Sequence, residues 1–117
     1  MQVEIGGSAY TLVTTARGSQ WTAHALRGPS QDRYGLEVTA SSEIEAKDRL
    51  MRWLTWQHEH TAALDALQQA EKAFHRAVAG VAFASAEAQS AEARPARAAM
   101  DAARNALDDI RARRPNV

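Results

Sequence analysis

The sequence has no cysteine, few large aliphatic side chains and no net charge. Without cysteine it can form neither a disulfide framework nor a cysteine-based zinc site. No apolar run approaches the roughly 20 residues that a membrane-spanning helix needs, and no basic segment followed by an apolar one marks a signal peptide. The balance of 14 basic and 14 acidic residues disfavours a nucleic-acid binder that relies on bulk attraction. We therefore expect a cytoplasmic protein with no membrane segment.

Composition divides the chain near residue 41. Glycine, threonine, valine and aromatic residues dominate before that point, and alanine, glutamate, arginine and glutamine dominate after it. The first set favours strands and turns, and the second favours helix. Because no linker separates the two parts, we predict one α+β domain over residues 1–117. Its β-sheet part would span residues 1–41 and its helical part residues 42–117.

The N-terminal part predicts a small antiparallel sheet of three or four strands. Apolar and polar residues alternate with period two, which indicates strands with one buried face. Gly6 and Gly7 form a two-residue turn signal, since both tolerate positive φ. The predicted strands cover residues 3–5, 9–15, 20–26 and 33–40. The faces expected to be buried contain Tyr10, Leu12, Thr14, Trp21, Ala23, Ala25, Tyr34, Leu36 and Val38.

A capping box predicts the start of a long helix. Ser42 can accept a hydrogen bond from the amide of Glu45, whose side chain can reach back to the Ser42 amide. The helix is expected to run from Glu43 to the mid-80s. Pro95 suits the first turn of a second helix, so we favour an antiparallel helical hairpin with its turn between residues 85 and 94. A continuous kinked rod is the alternative.

The helical part has a seam at heptad spacing that favours self-association. Alanines recur every seven residues from Ala63 to Ala84, and small residues in a line let a second helix approach closely. The matching stripe on the second helix contains Ala96, Met100, Ala103, Leu107 and Ile110. The first helix also begins apolar on two sides, with Ile44, Met51 and Leu54 on one and two tryptophans on the other. We expect a homo-oligomer, most simply a dimer, and place its interface on Trp53, Trp56, His60, Leu64, Leu67, Phe74 and Val78.

Catalytic and metal-binding motifs are not evident in the sequence. His58 and His60 point about 200° apart on a helix and cannot share one ion. Glu71 and His75 offer only two ligands, whereas zinc usually takes three or four. No nucleophile elbow, phosphate loop or dinucleotide fingerprint occurs. We therefore predict a protein that is not an enzyme, with no catalytic residues, no cofactor and no metal. The arginines and aspartates that alternate from Arg97 to Arg111 are interpreted as a solvated face.

Residues 10–56 resemble the sheet-and-helix module of HicB-like antitoxins. The resemblance is carried by the hairpin from Tyr10 to Leu26 around Gly18, by Gly35, and by the run Thr39-Ala40-Ser41-Ser42-Glu43-Ile44-Glu45-Ala46. Leu50, Trp53 and Leu54 fit the apolar helix positions of that family. The resemblance implies a module that binds a protein partner and oligomerises. The DNA-binding segment with which family members usually continue is replaced here by the Ala-rich hairpin.

Three functional hypotheses follow. The leading one is a non-enzymatic module for protein–protein interaction or oligomerisation. The second is a nucleic-acid-binding protein that uses the sheet face, with Arg17, Arg27 and Arg33 as its basic residues. The third is a small enzyme whose site is assembled from distant residues such as His24 or His60 and leaves no motif.

Overall fold

A computed structural model describes residues 1–80 and 86–116 of the chain, with the side chains of residues 1–79, 91 and 93–116. Four strands precede two helices, as the sequence predicts. The chain forms two compact units, and the boundary between them lies inside the first helix. Unit 1 comprises Met1–His58 and the C-terminal residues from Arg114, and unit 2 is Glu59–Arg113. The elements are β1 (Gln2–Ile5), β2 (Ser8–Arg17), β3 (Gln20–Arg27), β4 (Asp32–Ala40), α1 (Glu43–Gly80) and α2 (Ala86–Ala112).

The sheet is an antiparallel meander whose spatial order follows the chain, β1-β2-β3-β4. Gly6 and Gly7 turn β1 into β2 with φ values of 58° and 80°, so that Ile5 pairs with Ser8. Positive φ at both positions is the geometry of a tight type I′ hairpin, which glycine adopts without a Cβ clash. Gly18 has φ 62° in the next turn, where Arg17 pairs with Gln20. The predicted strand faces are confirmed, because Tyr10, Leu12 and Val38 are buried.

A register shift in β4 departs from the regular alternation. Ala23 pairs with Val38 and Ala25 pairs with Tyr34, so His24 alone lies opposite the three residues 35–37. Gly35 lies in this irregular segment with φ 78°. The ring of Trp53 packs so closely on Gly35 that a Cβ atom at that position would overlap it. Glycine is therefore required at residue 35 both by the backbone conformation and by the packing.

The core of unit 1 lies between the sheet and the first turns of α1. Ala23 and Ala25 present only methyl groups from the central strand and are fully buried. Their small size leaves space for the large helix residues Leu50, Trp53 and Leu54, which belong to the same core cluster. Burial of each large apolar side chain contributes about 1.5–3 kcal/mol. The beginning of α1 is thus held by packing on the sheet.

The predicted cap starts α1 at Glu43. The Glu45 amide donates to Ser42 Oγ at 3.1 Å, which satisfies one of the free amides of the first turn. The second hydrogen bond of the predicted capping box, between the Ser42 amide and the Glu45 side chain, is replaced by other contacts of that side chain. The Glu45 carboxylate accepts from Ser41 Oγ at 2.6 Å and from Arg49 Nη2 at 2.7 Å. Ser42 therefore caps the helix backbone, and Ser41 binds the Glu45 side chain.

Unit 2 is an antiparallel helical hairpin. Arg111 Nε approaches His60 Nε2 at 3.5 Å, while Phe74 lines a cavity together with Ala93 and Arg97. Residues early in this part of α1 therefore lie beside residues late in α2. The residue numbers add up to 171 both for the contact of Arg111 with His60 and for Arg97 and Phe74, which line one cavity. The predicted hairpin is confirmed, and the continuous rod is not adopted.

The predicted position of the hairpin turn is wrong. Residues 86–94 belong to α2, and Pro95 lies inside that helix rather than in its first turn. The residues between the helices, 81–85, lie outside the described part of the chain. Proline inside a helix costs about 3 kcal/mol because it removes a backbone hydrogen bond and crowds the preceding turn. Pro95 is exposed, and the inward positions Ala93 and Ala96 continue on either side of it. Packing of the seam and the high helix propensity of alanine thus allow α2 to continue past Pro95.

Candidate interaction surface

The predicted heptad seam forms the inner face of the hairpin. The inward residues recur at steps of three and four on both helices, which is the pattern of paired helices. They are half-buried except for Leu107, which is buried. On α1 they are His60, Ala63, Leu67, Ala70, Phe74 and Ala77, and on α2 they are Ala93, Ala96, Met100, Ala103, Leu107 and Ile110. Leu64 and Glu71, which follow Ala63 and Ala70, are also half-buried and lie at the edge of this face. Ala84, the last alanine of the predicted seven-residue series, lies outside the described residues.

Unit 2 buries far less of its apolar surface than unit 1. Among the residues of Glu59–Arg113 whose side chains are described, Leu107 alone is buried, at 1% exposure. Leu64, Leu67 and Phe74 each keep part of their surface accessible. Unit 1, in contrast, buries an entire cluster between sheet and helix. The hairpin therefore offers apolar surface that its own two helices do not cover.

The two tryptophans do not form the exposed pair that the sequence suggests. Trp53 is 7% exposed and belongs to the core of unit 1, where it covers Gly35. Its indole Nε1 is buried without a hydrogen-bond partner among the described residues. Trp56 is half-buried, and the Arg114 guanidinium lies 5.5 Å from its ring centroid. Helix positions alone do not reveal this burial, because it depends on the irregular segment of β4.

Ile44 and Val78 are the large apolar side chains of α1 that remain exposed. Ile44 is 82% exposed in the first turn of the helix, although the sequence grouped it with Met51 and Leu54. Leu54 is buried and Met51 packs against the core. Val78 is 47% exposed and directly follows the inward Ala77. Of the predicted interface residues, Val78 is thus the one that the hairpin leaves most open.

Arg27 and Arg33 of the nucleic-acid hypothesis line one cavity together, and Arg17 lies apart from them. Arg27 pairs with Tyr10, whereas Arg17 lies seven residues farther along β2, which places their backbones roughly 23 Å apart. The Arg27 guanidinium stacks over Tyr34 at 5.0 Å from the ring centroid. Arg33 binds Glu37 at 2.9 Å. Arg17 therefore shares no surface with the other two arginines, and both Arg27 and Arg33 are engaged within the chain.

Ion pairs cover the exposed face at the start of α1. Hydrogen bonds from Lys47 and Thr14, together with the positive charge of Lys47, lower the pKa of Glu43 below its ordinary value. The hydrogen bond from Ser41 and the charge of Arg49 lower the pKa of Glu45 in the same way. The Arg49 guanidinium also donates to the Thr39 carbonyl at 2.8 Å on the edge strand β4. This electrostatic network fastens the helix start to the sheet edge.

A shallow groove of about 530 Å³ lies against the charged start of α1. Its lining consists of Glu45, Asp48, Arg49, Arg52, Pro115 and Asn116. The four charged residues form two internal ion pairs, Glu45 with Arg49 and Asp48 with Arg52. The groove therefore presents no uncompensated charge that selects an anionic or cationic ligand.

The four histidines lie on β3 and α1. Among the described residues, no three side chains of His, Asp or Glu lie close enough together to hold a metal ion. His24 is half-buried on β3, and His60 lies in the hairpin seam beside Arg111. His58 packs its ring on the Gly6 turn. His60 and His58 thus contact other parts of the chain, although His58 stays exposed.

Arg97, Arg104 and Arg111 of α2 are exposed, as the predicted solvated face requires. Two of them also lie beside α1, because Arg111 contacts His60 and Arg97 shares a cavity with Phe74. The signal was present in the sequence. These arginines recur every seven residues and each follows an inward residue of the seam.

Membrane-spanning structure is not found among the described helices, since none is long and apolar enough to cross a bilayer. Comparisons with protein-family models, with curated proteins and with solved structures give no match to this chain. The order of three antiparallel strands and a helix over residues 10–56 is the order that the HicB-like resemblance implies. Because so simple an arrangement is open to many families, membership in that one stays a prediction.

Proposed function

We propose that this protein is a non-enzymatic interaction module that self-associates through its helical hairpin, most simply as a homodimer. The observation that carries the proposal is the difference in burial between the two units. Unit 1 has a core of its own, whereas Leu107 is the sole buried residue among the described side chains of unit 2. A short hairpin with so little buried surface gains stability when another surface covers it.

A second copy of the chain is the partner best matched to this surface. The alanines of the seam let α1 and α2 approach closely, but they leave the edges of Leu64, Leu67 and Phe74 accessible. Covering a further 40 Å² on each such side chain contributes about 1 kcal/mol. Two hairpins packed together would form a four-helix bundle, which completes the core of both copies at once.

Unit 1 needs no second copy to form its core in this proposal. Its sheet and helix start are joined by a continuous core. The HicB-like resemblance suggests in addition a separate protein partner and a cytoplasmic role, and both remain predictions. The nucleic-acid hypothesis gains no specific support, since Arg17 lies far from Arg27 and the guanidiniums of Arg27 and Arg33 are engaged within the chain. The enzyme hypothesis gains none from His60, which contacts Arg111 in the hairpin.

Light scattering on matched variants tests the proposal. Val78→Lys places a charge at an exposed position beside the seam, and Gln69→Lys places the same charge on the outer face of α1. We expect the unchanged chain and Gln69→Lys to have twice the 12.8 kDa mass of one chain, and Val78→Lys to shift towards the monomer. Circular dichroism verifies that both variants retain their helices. If the two variants have equal masses, the chain self-associates through another surface. If the unchanged chain is a monomer, the proposed self-association is wrong.

A further inference from the structure

One side of the hairpin carries two rows of residues, each with a period of seven. The α1 row follows the inward Ala63, Ala70 and Ala77, and the α2 row follows the inward Ala96, Ala103 and Ile110. Equivalent positions of two antiparallel helices lie on the same side of the pair. The two rows therefore form one surface. We call it the flank, and it consists of Leu64, Glu71 and Val78 on α1 and Arg97, Arg104 and Arg111 on α2.

Contacts at both ends of the hairpin place the arginine row beside α1. Arg111 reaches His60 at 3.5 Å, and Arg97 lines a cavity with Phe74. His60 and Phe74 are fourteen residues apart and so lie on one line of the helix. Arg104, midway between the other two arginines, accordingly lies level with Leu67. By the same pairing, in which the two residue numbers add up to 171, Glu71 lies level with Met100, between Arg97 and Arg104.

The charges of this side are balanced but incompletely paired within the chain. Glu71 is half-buried and Arg97 is exposed, and neither forms an ion pair with any described residue. Arg104 has only a distant contact with Asp101, at 4.0 Å, with both side chains more than half exposed. Asp101 and Asp108 border the outer edge of the arginine row. Three carboxylates thus accompany three guanidiniums, and Glu71 has positive charge on either side of it along the hairpin.

We infer that the flank is where two copies meet, with Glu71 of each copy held between Arg97 and Arg104 of the other. A two-fold axis parallel to the helices lays α1 of one copy over α2 of the second and preserves height along the hairpin. Glu71 then lies within one helical turn, about 5 Å along the axis, of both arginines across the interface. The aliphatic stems of the arginines cover Leu64 and Val78 in the same arrangement. This inference rests on the proposed self-association and specifies its surface.

A charge exchange between two variants tests the pairing. Glu71→Arg and Arg104→Glu each place like charges across the interface in a homodimer. In a mixed dimer of the two variants, the charges at positions 71 and 104 are opposite in both halves of the interface, and the single like-charge contact left is that of position 71 with Arg97 in one half. We expect each variant alone to dimerise at least tenfold more weakly than the unchanged chain and an equimolar mixture to regain the dimer. Native mass spectrometry identifies the mixed species, and circular dichroism establishes that each variant is folded.

The outcomes separate this inference from the proposed function. Recovery of the mixed dimer supports the contact between copies. If each variant alone dimerises as tightly as the unchanged chain, the flank is not the interface, although self-association stands. If both variants are weakened and the mixture does not recover, the charges act within one hairpin and the inference is overturned. A monomeric unchanged chain would remove the proposed function together with it.

Discussion

Replacing Gly35 with alanine is predicted to destabilise unit 1 severely. The residue has φ 78°, where a side chain costs roughly 1–2 kcal/mol. The added Cβ would also overlap the ring of Trp53, which is buried and has little freedom to move. Overpacking of this kind costs roughly 1–3 kcal/mol. The two effects together predict a loss of about 3 kcal/mol, a large fraction of the stability of a small domain.

Urea denaturation followed by tryptophan fluorescence measures this loss, and Gly18→Ala is the matched control. Gly18 has φ 62°, but no atom lies within 4 Å of the position that its Cβ would occupy. The control therefore has the backbone cost without the overlap and should lose about 1–2 kcal/mol. Equal losses for the two variants would refute the close packing of Trp53 on Gly35 and with it the described core.

Three further predictions concern the same core and the start of α1. Trp53→Phe should lower the free energy of unfolding in urea by less than about 1.5 kcal/mol, because it removes a buried indole N–H that has no partner among the described residues. Leu50→Ala only removes apolar contacts and should lower it by about 2–5 kcal/mol. Ser42→Ala should cost about 1 kcal/mol and reduce helical ellipticity, because the Glu45 amide loses its cap. The lowered pKa values of Glu43 and Glu45 predict stability that is fully present above their ordinary value of 4.5 and is lost as the pH falls through the lower folded-state values. Thermal denaturation between pH 6 and pH 3 checks this, since the deficit of a Glu45→Gln variant should shrink as the pH falls.

Local signals account for the parts of the fold that the sequence predicts correctly. Gly6 and Gly7 determine their turn because few other residues adopt positive φ. Ser42 and Glu45 mark the helix start because the capping bond is formed within four residues. The seam is predictable for a related reason, since its period of three and four residues is a property of the helix itself.

Features that depend on distant contacts could not be derived in this way. The burial of Trp53 requires the register shift in β4 and the open space above Gly35, and neither follows from the helix sequence. Pro95 indicates a helix start by its local preference, yet it lies inside α2 because the seam continues on both sides of it. Tertiary packing outweighs local preference at both positions.

The candidate surface was predicted in part. Leu64, Leu67 and Phe74 follow from the heptad spacing, and they lie on the inner face of the hairpin with accessible edges. The arginine row was assigned to solvent, because alternating charges along a helix are usually exposed. The three arginines are exposed, as that assignment requires, and the structure adds the contact of Arg111 with His60 on α1.

The mass of the unchanged chain in solution tests the central claim most directly. Sedimentation equilibrium over a concentration range from micromolar to near-millimolar measures it without a tag or a variant. Self-association through the hairpin predicts a mass that rises with concentration to twice the 12.8 kDa of one chain. A mass of one chain at every concentration would contradict the account, because the half-buried seam of unit 2 would then be stable without a second copy.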